Sequence, residues 1–156
     1  MDSAELQTFY SRPLEAILSD SRGPEAHAAL LEALETGRVR AALRREDGAW
    51  EAQSWVKAAI LAGFRATDLV ELPGAWGPAF DRAAFPPRPF TAAEGVRLVP
   101  GGSAVRRGAF VAPGVVLMPP AYVNVGAFVD AGTMVDSHAL VGSCAQIGRR
   151  VHLSAG

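Results

Sequence analysis

From Val99 onward every sixth residue is aliphatic: Val99, Val105, Val111, Leu117, Val123, Val129, Val135, Val141, Ile147 and Leu153. Val, Leu and Ile fill 15 of the 58 positions in 99–156. Ten hits in one phase then arise by chance on the order of once in 10⁵ trials, with six phases allowed for. The position four after each aliphatic is also restricted. It reads Ser103, Ala109, Val115, Ala121, Ala127, Thr133, Ala139, Ala145 and Val151, all small or β-branched. A helix repeats every 3.6 residues and a strand every 2, so neither explains a period of six. A triangular solenoid does: each unit is one short strand and one corner, and three units close a coil. Glycines at 108, 114, 126 and 132 fall three after the aliphatic position, where the backbone must turn sharply. The period predicts a parallel β-helix of about three coils with three inward stacks. These are Val105–Val123–Val141, Val111–Val129–Ile147 and Leu117–Val135–Leu153.

Charge separates this region from the rest. Of the 31 charged residues, 25 lie in 1–98, and only Arg106, Arg107, Asp130, Asp136, Arg149 and Arg150 lie beyond. The division predicts a helical N-terminal domain with a β-hairpin over 1–72, a Pro-rich connector over 73–98 and a β-helix over 99–156. The first part reads as α+β. Ser3 caps a helix carrying Leu6, Phe9 and Tyr10 that Pro13 interrupts. Pro24 opens a second helix with His27, Leu30, Leu31 and Leu34 on one face, closed by Gly37. Residues 39–45 and 49–52 flank the hairpin signal Glu46-Asp47-Gly48. Residues 54–64 read as a helix with Trp55, Ala58, Ala59, Leu61 and Ala62 inward. Residues 73–90 hold five prolines and read as extended or looped.

A net charge of −1 argues against binding nucleic acid through phosphate neutralisation. The single cysteine, Cys144, permits no internal disulfide and fits a reducing compartment. No apolar run approaches membrane-spanning length, so no membrane partner is expected. No metal-ligand spacing or phosphate-binding glycine loop is present, and no metal or tightly bound cofactor is expected.

Several motifs resemble those of the tetrahydrodipicolinate N-succinyltransferase family of hexapeptide-repeat transferases. They are Gly-Ala-Phe-Val at 108–111, Val-Leu-Met-Pro at 116–119, Tyr-Val-Asn-Val-Gly-Ala-Phe-Val-Asp at 122–130, Gly-Thr-Met-Val-Asp at 132–136, Val-Gly-Ser-Cys-Ala-Gln-Ile-Gly at 141–148 and Val-His-Leu-Ser at 151–154. The likeness is dense over 95–156 and weaker at Gly48-Ala49-Trp50 and from Trp55 to Arg65. Ala131 and His138 stand where the family usually has Glu and Trp. The resemblance implies a left-handed β-helix and a cytoplasmic homotrimer with active sites between subunits. It also implies succinyl transfer from succinyl-CoA, a co-substrate, to the amino group of a ring-opened dicarboxylate in lysine and diaminopimelate biosynthesis. The alternatives are a related hexapeptide-repeat N- or O-acetyltransferase and an inactive solenoid fragment. Family chains are longer and the hexads are still in phase at Leu153. The expectation is a C-terminally truncated chain, without turnover by itself and with its CoA-binding residues beyond Gly156.

Asp136 is the leading catalytic candidate. It follows an inward Val in a charge-poor stretch, so its carboxylate must be hydrogen-bonded, paired or functional. By resemblance it contacts substrate, where a base can take or direct the amine proton. The competing reading is a corner Asp that caps backbone N–H groups. Arg97, where the chain enters the solenoid, is by resemblance substrate-binding, and a guanidinium fork suits a carboxylate. Asp130 reads as a solvated corner. His138 tempts because some hexapeptide-repeat acetyltransferases use a His base, but a structural role is favoured. His152 reads as buried, and Cys144 as a small apolar residue rather than a nucleophile. Phe110, Tyr122 and Phe128 should point outward and mark an interface between chains.

Overall fold

The computed structural model describes residues 1–74 and 77–156. Positions 75–76, inside the Pro-rich connector, lie outside the described residues. Helix α1 (Ser3–Tyr10) is capped by Asp2 rather than Ser3. Asp2 accepts from the Glu5 N–H, and the Glu5 carboxylate accepts from the Asp2 N–H. A cap at Ser3 would place Leu6 at the reciprocal position, where no acceptor exists. Helix α2 (Leu14–Leu18) follows Pro13, and α3 (Gly23–Glu35) carries Pro24 in its first turn. Strands β1 (Ala42–Arg44) and β2 (Trp50–Ala52) form the expected antiparallel hairpin.

Helix α4 (Ser54–Ala66) buries Val56, Ala59, Ile60, Ala62 and Gly63. The face therefore differs from the one expected: Ala58 and Leu61 are exposed and Trp55 is half-buried. The reason lies in α3. A Cβ at Gly63 would stand 2.8 Å from both His27 Cε1 and Phe85 Cζ, so the side of α4 without a side chain must face these rings. The Pro-rich stretch contributes β4 (Ala79–Arg82), which pairs antiparallel with β3 (Leu69–Leu72). Just after it, Phe85 is fully buried against Phe64 and His27.

A single 3₁₀ turn (Ala92–Glu94) leads into the solenoid. Its strands are two residues each: β5 (Arg97–Leu98), β6 (Ala104–Val105), β7 (Phe110–Val111), β8 (Val116–Leu117), β9 (Tyr122–Val123), β10 (Phe128–Val129), β11 (Met134–Val135), β12 (Leu140–Val141), β13 (Gln146–Ile147) and β14 (His152–Leu153). They stack as three parallel sheets, β6-β9-β12, β7-β10-β13 and β5-β8-β11-β14. The ladder partners are the three predicted stacks, and their nine aliphatics share one core. Ala109, Val115, Ala127 and Thr133 are buried beside them, which is why this position stays small.

The first hexad departs from the expectation. Leu98, not Val99, pairs with Leu117, because Gly101-Gly102 adds a residue to the turn that follows. Leu98 is 39% exposed and stands at the edge of its sheet. The third residue after the inward aliphatic has positive φ at most corners, including three without glycine, His138, Cys144 and Arg150.

The helical part docks on one face and one corner of the solenoid. Val125 is buried in the helical core, with Cys144 packed against it. Glu35 Oε1 accepts from Arg107 Nε at 2.5 Å and from the Gly108 N–H at 2.7 Å. Phe110 and Phe128 stack with centroids 4.3 Å apart. Arg40 lies 3.6 Å from the Phe128 centroid and donates to Gln146. The outward orientation of these two aromatics was expected, but within this chain they receive the helical part, so they give no warrant for an interface between chains. Among the described residues no helix is long and apolar enough to cross a membrane.

Candidate active site

Asp136 follows β11 directly, and its backbone N–H donates to Leu153 O in the coil above. Two equivalent corners carry the same device. Asn124 Oδ1 accepts from the Val125 N–H, Asp130 Oδ1 from the Ala131 N–H and Asp136 Oδ1 from the Ser137 N–H, at 2.7–2.8 Å. The capping role considered for Asp136 is therefore real, but it uses only one carboxylate oxygen.

The second contact distinguishes the three corners. Asn124 Oδ1 also accepts from Arg106, and Asp130 Oδ2 meets Arg149 at 3.4 Å. Asp136 Oδ2 lies 3.2 Å from His152 Nε2. The ladder explains this last pair. His152 stands above Met134 in register, so it reaches diagonally to the residue two places along the lower strand, as neighbouring strands allow. The Ser137 N–H first, and then His152, hold the Asp136 carboxyl below its usual 3.8.

His152 is exposed, with 58% of its side chain accessible against 27% for Asp136. This overturns the buried reading. The signal was available: residues alternate across a strand, and inward Leu153 places His152 outward. Arg97 lies on the same sheet, in register with Val116, which pairs in turn with Met134. Its side chain is exposed. Two strand spacings, about 10 Å, separate its level from that of Asp136. One chain thus places both candidates on one face without bringing them into contact. The outward residues between them, Val116 and Met134, are apolar and half-buried.

The remaining candidates fall elsewhere. Asp130 serves its corner and an exposed ion pair with Arg149. His138 is exposed at a left-handed turn, and its N–H donates to Pro120 O. Cys144 occupies the corner that meets the helical core, where burial pushes its thiol up. Among the described residues no group of His, Cys, Asp and Glu could hold a metal ion.

Fold and site together define the class: a hexapeptide-repeat solenoid bearing a carboxylate–imidazole pair, with a helical domain docked on a different face. Residues 15–66 match the tetrahydrodipicolinate N-succinyltransferase N-terminal domain. The chain is similar to 2,3,4,5-tetrahydropyridine-2,6-dicarboxylate N-succinyltransferases of several bacteria. That of Methylococcus capsulatus is 51% identical over 91 residues, covering 55% of this chain and 32% of the relative. That of Polynucleobacter asymbioticus is 47% identical over 87 residues, covering 53% and 31%. That of Granulibacter bethesdensis is 45% identical over 108 residues, covering 60% and 36%. The chain spans about a third of the length of these curated relatives.

Proposed function

We propose that the chain carries part of the active site of a CoA-dependent N-succinyltransferase. The reaction moves succinyl from succinyl-CoA to the amino group of ring-opened tetrahydrodipicolinate, on the route to diaminopimelate and lysine. The observation that carries this reading is the Asp136–His152 pair on an exposed solenoid face, in a chain whose relatives are named for that reaction. Arg97 binds a carboxylate of the acceptor through its fork of donors. Asp136 serves the amine end of the reaction, where the proton that leaves the nitrogen must be directed. The amine attacks the thioester within a ternary complex, with no covalent enzyme intermediate, and succinyl-CoA is a co-substrate rather than a resident cofactor.

The proposed assembly is a cytoplasmic homotrimer with active sites between neighbouring subunits, so Arg97 and Asp136 need not meet within one chain. Thiol release from succinyl-CoA, with and without the acceptor, tests the reading on the protein carrying this chain. Arg97→Ala should act mainly through KM for the dicarboxylate, because a clamp of this kind binds ground and transition states nearly alike. Asp136→Asn should lower kcat about 10²–10⁴-fold with little change in KM for succinyl-CoA. Equal use of acetyl-CoA, or thiol release indifferent to the acceptor, would sink the proposal.

A further inference from the structure

We infer that the proton acceptor of the acyl-transfer step is the imidazole of His152, with Asp136 as the carboxylate that positions it. This rests on the succinyltransferase reading above and assigns a residue that the family resemblance did not single out.

Three corners of the solenoid share one construction, a side chain that accepts from the next backbone N–H and also meets a cationic or ionisable group. At Asn124 and Asp130 that group is an arginine, Arg106 or Arg149. Arginine keeps its proton in proteins and can only donate. At Asp136 the group is His152, the one side chain of the three whose ring can both donate and accept a proton. The repeat thus provides its own controls: the same corner is built three times, and one copy can do proton chemistry.

The hydrogen bonding assigns the two ring nitrogens. An ionised carboxylate only accepts, so Nε2 must carry the hydrogen donated to Asp136 Oδ2, and Nδ1 is left with its lone pair. Both Asp136 oxygens are engaged, one by the Ser137 N–H and one by His152. The same bonds hold the carboxyl below its usual range, which makes it a weak base toward an amine. The imidazole is also the more exposed member of the pair, at 58% against 27%. Among the described residues, no other charged group hydrogen-bonds or ion-pairs with His152, and uncharged Met134 stands below it in the ladder.

In the step, the substrate amine attacks the thioester carbonyl and the C–N bond forms. The proton from that nitrogen passes to Nδ1 of His152. The C–S bond then breaks, and the departing thiolate takes the proton. The products are the N-succinyl amide and CoA thiol, and His152 returns neutral.

The test compares His152→Ala and His152→Gln with the unsubstituted protein, each in the whole protein carrying this chain, in the thiol-release assay across pH 5–9. Glutamine keeps an N–H for Asp136 but accepts no proton. If His152 is the base, both variants lose about 10²–10⁴-fold in kcat with KM for the acceptor nearly unchanged. Both should also lose the acidic limb of the pH profile, and added imidazole should restore part of the rate to His152→Ala. If His152 only steadies Asp136, His152→Gln recovers most of the activity and the acidic limb survives, which overturns the assignment. Full activity in His152→Ala overturns it as well, while thiol release by the unsubstituted protein leaves the succinyltransferase reading standing. No acceptor-dependent thiol release by the unsubstituted protein removes that reading, and the inference with it.

Discussion

In the solenoid, Val123 is stacked between Val105 and Val141, the same side chain one coil below and one above. In the helical part, Phe85 is enclosed by a tilted Phe64, an edge-on His27 and the gap left at Gly63. Both side chains are fully buried, yet their neighbours are specified differently. Val123 needs only the period, because the next coil repeats its environment. Phe85 needs three particular partners from two helices, and no local pattern announces them. A repeating core tolerates and reveals its own logic, while an irregular one depends on mutual fit.

The largest stability effect should follow from that contrast. Phe85→Ala removes the side chain that fills the junction and should cost about 3–5 kcal/mol. Val123→Ala in the repeat should cost less, since fewer methyl groups are lost. Urea denaturation of both variants checks this, and equal losses would break the comparison.

Two glycines at equivalent turns sharpen it. Gly114 and Gly126 share positive φ, 79° and 76°, so alanine at either should cost about 1–2 kcal/mol through backbone strain. At Gly114 the new Cβ meets only the Gly132 nitrogen at 3.7 Å, an ordinary contact. At Gly126 it would stand 2.9 Å from Ile60 Cδ1 and 3.0 Å from Cys144 Sγ. Gly126→Ala should therefore be clearly the worse of the two in thermal melts, because its corner belongs to the docking surface.

Two ion pairs give a smaller contrast. Glu35→Ala strips the acceptor from the Gly108 N–H and from Arg107 at the junction and should cost about 1–3 kcal/mol. Arg149→Ala breaks an exposed pair on the solenoid and should stay within about 0.5 kcal/mol. Chemical denaturation of the two variants reads both values.

The last effect is a slope rather than a step. His27 donates from Nε2 to Ala84 O, and its Nδ1 is buried with no partner among the described residues. Burial first, and Arg107 as a further cause, lower its pKa below the usual 6.5 despite the opposing Ala84 bond. The unfolded chain then binds this proton more readily than the folded one. Stability should fall as pH drops below about 6.5 and level off once the folded-state pKa is passed. Melting temperatures across that range, compared with those of His27→Gln, isolate the contribution.

The same contrast explains what could be read in advance. The nine stacked aliphatics, their three faces and the small neighbours beside them were legible because a six-residue period has one geometric solution. Asp136 stood out because charge is scarce in 99–156. His152 was misjudged although the alternation around Leu153 places it outward. Its pairing with Asp136 is also computable, since 16 residues is one coil less two. The buried face of α4 was not legible, because Ala58, Ala59, Leu61 and Ala62 fit more than one apolar stripe. The docking role of Phe110 and Phe128 was hidden too, since an outward aromatic looks the same whether its partner is another chain or a distant segment of its own.

By itself, then, the order of residues determined the solenoid, its register from Val105 onward and the outward row that carries the candidate site. Each of these depends on spacing along the chain, and a parallel ladder converts spacing directly into neighbours. Only the tertiary structure decided the phase of α4 at Gly63, the place of Leu98 rather than Val99 in the first stack, and the engagement of Phe128 by Arg40. Those outcomes depend on which of several apolar surfaces fit together, and close packing of unlike shapes settles that choice between segments far apart in the chain.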